Sequence, residues 1–515
     1  MKKYYITTSI VYTNACPHIG FALELAQADV LARYHRLQEE DVRFLTGTDE
    51  NGVKNKKTAE KLGIAPKQLV DENSAKVLEL TNVLNISNDD FIRTTDEKRH
   101  WPGVEKIWKT LEENGDIYKK IYDGLYCAGC EAFITKKDLA RDGKCHLHNA
   151  KPEAIKEENY FFRLSKYGDQ IKQLIESGKL KIIPEVRTNE LFSLIKDGVQ
   201  DVSFSRPASS LDWGIPVPND NTQTIYVWAD ALTNYISSLG YGSKNTIDFD
   251  KYWPADIQII GKDILRFHAL IWPGILLSAG LPLPSTLLVH GFISSGGQKI
   301  SKSLGNVVSP FEIIEKYGTD ALRYYLLKEI PTTSDGDFTH ERFNETYNAD
   351  LASGLGNLVS RVVKMVEKYC DNKVPQINKD IDTHPLRVDN KIYNWKKAWL
   401  DIDKNVTNFK FNEALFSIWQ FIAEANKYID QAEPWALAKN GKQEELDWVL
   451  YGLLDAIHQI AWQIYVFMPE TSLKIAKVLD IKELLAKDPK YKDSWTKIKP
   501  GTPLKPIDPL FPRID

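Results

Sequence analysis

Three clusters in the 515-residue chain combine residue types and spacings that can do chemistry. The first is Pro17-His18-Ile19-Gly20-Phe21, set between a β-branched, aromatic run at residues 4–11 and a helical pattern at 20–37. A helix N-terminus behind a parallel strand offers free N–H groups and positive potential to a phosphate. Gly20 lets a nucleotide approach the backbone, and His18 can donate to a phosphate oxygen as charge develops on it. Taken alone, the same residues also read as a turn with a surface histidine. The second cluster is Gly296-Gly297-Gln298-Lys299-Ile300-Ser301-Lys302-Ser303. Two glycines loosen the loop, and Lys299 and Lys302 can gather on a polyphosphate. The spacing is not that of a P-loop, and in isolation a solvated basic loop fits equally.

The third cluster is Cys127-x2-Cys130 followed, after fourteen residues, by Cys145-x2-His148. Three thiolates and one imidazole make a closed tetrahedral zinc site, which is structural because no position remains for water. His146 competes for the fourth place, and the two-residue spacing favours His148. A redox CxxC needs a helix N-terminus instead. Cys16 and Cys370 are expected to be small buried residues.

The elements that must position these clusters follow from periodicity. Strand-like 4–11, helix-like 20–37 and strand-like 42–45 predict a parallel, doubly wound α/β sheet over residues 1–115. Residues 116–222 break that rhythm and read as an insertion. The α/β pattern resumes over 223–295, with strands expected at 226–229, 257–260 and 286–289. Residues 345–495 carry helical period at 348–369, 392–406, 412–431 and 443–466, an all-α bundle. The tail from 496 to 515 holds five prolines and reads as an extended segment on the body. Residues 269–289 carry no charge, but Pro273, Pro282 and Pro284 break a spanning helix, so a buried helix, a turn and a buried strand are expected there.

Composition bounds the function. Lys+Arg 66 against Asp+Glu 70 gives a net charge of -4, which excludes a uniformly basic nucleic-acid coat and leaves room for a local patch. Five cysteines argue against a disulfide scaffold and for a reducing compartment. The chain opens straight into a strand, with no signal or transit peptide expected. The expected location is the cytoplasm.

Together, His18-Ile19-Gly20 and Lys299-Ile300-Ser301-Lys302-Ser303 resemble the class I aminoacyl-tRNA synthetases. Gly47-Thr48-Asp49-Glu50-Asn51-Gly52, residues 226–235, residues 261–268 and Pro509-Leu510-Phe511-Pro512-Arg513 resemble the methionyl-tRNA synthetases within that class. The resemblance runs over essentially the whole chain. It implies a Rossmann-like catalytic domain in two halves (1–115 and 223–295), a zinc-bearing connective insertion (116–222), a lysine-loop and stem-contact region (296–344) and a helical anticodon-binding domain (345–495). It implies methionine activation by ATP and transfer to tRNA, with L-methionine, ATP and tRNA(Met) as partners, Mg²⁺ accompanying ATP, one structural Zn²⁺, no membrane and a monomer.

By the same resemblance, nucleotide contacts are His18, Gly20, Glu24, Gly261, Asp263, His290, Ile293 and Lys302, with His18, Lys299 and Lys302 catalytic. Methionine contacts are Ile10, Tyr12, Asp49, Trp228, Tyr235, Ile264 and His268; Asp49 can pair with the substrate ammonium. Anticodon contacts are Asn357 and Arg361, four apart on one helix face, and Trp435. The sequence departs from the family in two places, Phe21 and Asn51, where histidines are usual. The first is expected to weaken or reshape ATP binding. The chain is too short for the editing insertion of the leucyl, isoleucyl and valyl enzymes. A non-catalytic RNA-binding relative is disfavoured by Asp49 and the lysine loop.

Overall fold

The computed structural model describes all residues except 128–131, 135–138, 141, 146–149, 301–305, 378–385, 389–390, 394 and 515, and leaves aside the side chains of 132–133, 299, 386–388, 391–393, 395–396 and 495. A seven-stranded sheet lies at its centre. Along the chain its strands are β1 (Lys3–Thr8), β2 (Val11–Tyr12), β3 (Asp41–Asp49), β4 (Asp90–Arg93), β5 (Lys181–Ile183), β6 (Ile257–Gly261) and β7 (Thr286–His290). All pairings are parallel: β3 pairs with β1, β2 and β4, β1 with β6, β6 with β7, and β7 with β5. Helix α1 (Ile19–Leu37) connects β1 to β3, whereas β6 lies on the other side of β1. The strand order therefore reverses beside β1, and a crevice opens there at the carboxyl ends of the strands.

Both faces of this sheet are covered, which is why its strands read as unbroken apolar runs. Ile6, Phe44, Ile257, Ile259 and Leu288 face one core with α1 and the helical region. Tyr5, Leu45, Ile260, Leu287 and Val289 face the other. The alternation follows the two-residue period of a strand. Each fully buried Leu or Ile contributes ~1.5–3 kcal/mol relative to exposure, so the crevice has a rigid floor.

Residues 116–222 do not form one separate insertion. An antiparallel sheet pairs Ile117–Cys127 with Ala132–Ile134 and with Glu153–Phe162, and Glu153–Phe162 with Val202–Ser203. Between these pieces the chain returns to the centre, and Lys181–Ile183 becomes the edge strand β5. Three residues are too short a run for periodicity to assign. The strand expected at 226–229 is also corrected. The strand is Asp220–Ile225, and Val227–Ala231 is helical, because a short apolar run fits either element.

Four shorter helices serve the site: α2 (Val53–Leu62), α3 (Trp101–Glu113), α4 (Val227–Ala231) and α5 (Asn234–Ser237). The uncharged stretch after residue 268 forms helix Trp272–Ser278 and strand β7. No helix among the described residues is long and apolar enough to cross a membrane. The helical region holds Asn357–Tyr369, Trp395–Thr407, Phe411–Ala432, Gln443–Ile464 and Pro469–Leu479. The tail packs on these helices: Leu504 and Phe511 are buried, and Asn348 bonds Ile514 through its main chain in both directions. Arg323, fully buried, joins the two regions. It pairs with Asp29 of α1 at 2.7 Å and donates to the main-chain oxygens of Leu84, Val466 and Phe467. A buried guanidinium is tolerated only when its donors are matched in this way.

Candidate active site

A cavity of about 460 Å³ fills the crevice. Its wall contains His18, Gly20, Glu24, Gly261, Asp263, His290 and Ile293, the residues expected to contact a nucleotide (the expected nucleotide side). It also contains Ile10, Tyr12, Asp49, Trp228, Tyr235, Ile264 and His268, those expected to contact methionine (the expected methionine side). Residues from β1, β3, β6 and β7 meet here only because those strands end at the same edge of the sheet.

His18 caps α1, and its Nδ1 accepts the Gly20 N–H at 3.0 Å. The neutral ring then carries its proton on Nε2, the atom left to donate to a ligand oxygen. Partial loss of water lowers the His18 pKa, and the nearby Asp263 opposes that. A Cβ at Gly20 would lie 2.8 Å from His18 Cε1, and one at Gly261 2.7 Å from Asp263 Oδ1, so a side chain at either place would displace the present His18 or Asp263 rotamer.

Glu24 is not a simple ligand contact. One carboxylate oxygen accepts from Ser9 N at 2.6 Å and Ser9 Oγ at 2.7 Å, and the other from His290 Nε2 at 2.9 Å. His290 Nδ1 donates to Gly291 O at 2.8 Å. Both ring nitrogens face acceptors, an arrangement that favours the protonated ring. Burial alone would lower its pKa, but the Glu24 hydrogen bond and charge outweigh burial and raise it.

Uncharged aromatic groups dominate the expected methionine side. His268 Nδ1 donates to Ile264 O at 3.1 Å, so Nε2 accepts from the Tyr235 hydroxyl at 2.7 Å. Burial pushes His268 down to about 4 and raises Tyr235 well above its ordinary range. Trp228 stacks on Phe267 with centroids 3.7 Å apart and meets His268 edge-on. A flexible thioether suits such a wall, because sulfur–aromatic contacts contribute ~0.3–1.5 kcal/mol each. Asp49, 4% exposed, supplies the negative charge at the end of β3.

The remaining expectations fall in three groups. Lys299 closes the short strand Gln298–Lys299, but its side chain, like Lys302, lies outside the described residues. So do Cys130 and His148, whereas Cys127 and Cys145 are buried in a small apolar cluster with Ile134. In the helical region, and not on the cavity wall, Arg361 pairs with Asp430 at 2.7 Å and Asn357 reaches Asn426 at 3.5 Å. Trp435 follows Glu433, whose φ of 44° ends helix Phe411–Ala432, and the indole is 42% exposed.

The chain matches the family model of class I tRNA synthetases (M) over residues 4–141 and 137–363. It is 45% identical over 524 residues to the methionine–tRNA ligase of Clostridium acetobutylicum, covering 100% of this chain and 78% of that protein. It is 42% identical to that of Brucella suis, covering 99% of this chain and 98% of the relative. Mycobacterium tuberculosis methionyl-tRNA synthetase in complex with methionyl-adenylate superposes with a TM-score of 0.91 at 37% identity, covering 100% of both chains. The free-state form of that enzyme gives 0.85 at 34% identity. The chain belongs to the methionyl-tRNA synthetase family.

For a member of this family, the sequence reading missed several features. Cys16, expected to be buried, is exposed on the cavity wall, where Lys76 Nζ donates to its sulfur at 3.3 Å. Lys54, in the first turn of α2, sits over the Tyr12 ring at 5.3 Å. It is the one lysine or arginine among the described residues lining the cavity. No hydropathy signal separates it from the surface lysines that follow it in α2. Phe21 is 5% exposed; its ring packs into the core and also forms part of the cavity wall beside Gly20 and Glu24.

Proposed function

We propose that the chain is a methionine–tRNA ligase. Methionine carboxylate attacks the α-phosphorus of ATP, forming methionyl-adenylate and releasing pyrophosphate. A hydroxyl of the 3′-terminal adenosine of tRNA(Met) then takes the methionyl group and releases AMP. The protein's part is positioning and charge stabilisation. The observation that carries the reading is one cavity with a polar wall at His18, Glu24, Asp263 and His290 and an uncharged aromatic wall at Trp228, Tyr235 and His268. Asp49 would hold the substrate ammonium, His18 Nε2 would meet a phosphate oxygen, and Lys299 and Lys302 would neutralise the departing pyrophosphate. Mg²⁺ would travel with the ATP phosphates. Methionine-dependent ATP–pyrophosphate exchange tests this: exchange that responds to methionine and not to leucine, isoleucine, valine or cysteine is expected, and its absence would overturn the reading.

Asn357, Arg361 and Trp435 would read the anticodon by edge hydrogen bonds and stacking. Cys127, Cys130, Cys145 and His148 would hold one structural Zn²⁺, supplying cross-linking and no reaction step. Burial of the Cys127 and Cys145 thiols in one small cluster supports that reading. Metal analysis of chelator-washed protein should give close to one zinc per chain; none, with activity kept, removes the site. A cytoplasmic monomer completes the proposal; the low cysteine count supports the reducing compartment.

A further inference from the structure

Behind the methionine side runs a connected line of buried polar groups that the reaction itself does not use. Asp230, in α4, is 1% exposed. Its Oδ1 accepts from His100 Nε2 at 2.7 Å, and its Oδ2 accepts from Asn51 Nδ2 at 2.7 Å. His100 is fully buried at the start of α3, and its Nδ1 lies 2.8 Å from Ser237 Oγ, the last residue of α5. At the other end, the main-chain oxygen of Asn51 accepts from the Tyr12 hydroxyl at 2.7 Å.

This line touches every segment that supplies a polar or aromatic methionine-side residue except that of His268. Tyr12 stands on β2. Asp49 ends β3 two residues before Asn51. Trp228 precedes Asp230 by two residues in α4, and Tyr235 precedes Ser237 by two in α5. The segments come from distant parts of the chain, and neither β2, with two residues, nor α5, with four, can hold its own angle. A buried carboxylate between two donors is costly to move, because either donor left behind is an unsatisfied buried group.

We infer that Asp230, acting through Asn51 and His100, is a positioning residue that sets the spacing of the methionine cage. This rests on the methionine–tRNA ligase reading above. The consequence is selective: the nucleotide side is held by a separate set, Ser9–Glu24–His290–Gly291. Disturbing Asp230 should therefore change methionine binding and leave ATP binding alone.

The test is a reciprocal exchange. Asn51→Asp places a second carboxylate against Asp230, and two such groups in hydrogen-bond contact cannot both stay ionised. The KM for methionine in exchange should rise roughly tenfold or more, as expected for a displaced binding wall, with the KM for ATP unchanged to within about twofold. Adding Asp230→Asn restores a donor facing an acceptor, and the methionine KM should return to within about threefold of wild type. A purely structural role would raise both KM values together and would not be rescued. An unchanged methionine KM, or a rise without rescue, overturns the inference. If Asn51→Asp does not fold, Asn51→Ser removes the donor without adding charge; it should raise the methionine KM alone, and no change again overturns the inference. Crystal structures of wild type, Asn51→Asp and the double variant judge it without activity: the Tyr12 and Trp228 rings should move in the first variant and return in the second. Wild type that neither exchanges nor binds methionine by calorimetry would sink the ligase reading, while those structures still decide the positioning role.

Discussion

The two sides of the cavity each contain a buried histidine, and the pKa values of the two are pushed in opposite directions. His268 bonds a main-chain carbonyl and a tyrosine hydroxyl, and burial leaves it neutral, pushed down to about 4. His290 bonds a main-chain carbonyl and the Glu24 carboxylate, and that one difference in partner raises its pKa instead. Residue type and depth are alike, so the second hydrogen-bond partner sets the charge. The result is an uncharged imidazole among aromatic rings and an imidazole paired with a carboxylate, both on the wall of one cleft.

Lys302→Ala should act on the charged side alone. Losing one group that stabilises the leaving pyrophosphate costs ~2.7–4 kcal/mol, so adenylate formation should slow by about 10²–10³ with methionine affinity kept. Rapid-quench measurement of adenylate checks this, and a parallel loss of methionine affinity would break the distinction between the two sides. Trp435→Ala lies remote from both. Base stacking contributes ~1–3 kcal/mol, so kcat/KM for tRNA should fall roughly 10- to 100-fold while exchange holds. Equal losses in both reactions, with a lower melting temperature, would make the indole a packing residue.

The histidines themselves should give opposite pH slopes. The folded pKa of His268 is depressed from 6.5 to about 4, so the unfolded chain takes up a proton that the folded one refuses. Stability is then complete above about pH 6.5 and lost as pH falls toward about 4, by ~2 kcal/mol between about pH 7 and 5. Urea unfolding should show this component in wild type and not in His268→Gln. His290 runs the other way: its folded pKa is raised, so its contribution is complete below the ordinary imidazole range and lost as pH rises through its own pKa. The smallest effect is expected from Phe21→His. It offers the nucleotide side a second imidazole and should tighten the ATP KM or leave it within about threefold, because the ring is mostly in the core. Abolished exchange would show that the nucleotide side is built around the phenyl ring.

Much of this protein follows from its sequence by local rules. Strand-like and helix-like segments in alternation predict a parallel, doubly wound sheet, and the helical period predicts the bundle after residue 345. His18 and Gly20 line the cavity, as their place between a strand and a helix implies, whereas Lys302 and the Lys299 side chain lie outside the described residues. The boundaries failed where local signals are short: β5 has three residues, and Val227–Ala231 turned out to be a helix.

Tertiary structure alone decided what those residues do electrically. Nothing in the chain distinguishes His268 from His290, since Tyr235 and Glu24 lie 33 and 266 residues away from their respective partners. The Asn51–Asp230–His100 line joins positions 179 and 130 residues apart and leaves no periodicity to read. Periodicity reports which side of an element is apolar, and a pKa or a hydrogen bond reports what lies opposite. The first is written along the chain; the second exists only once strands from distant segments end at one edge of the same sheet.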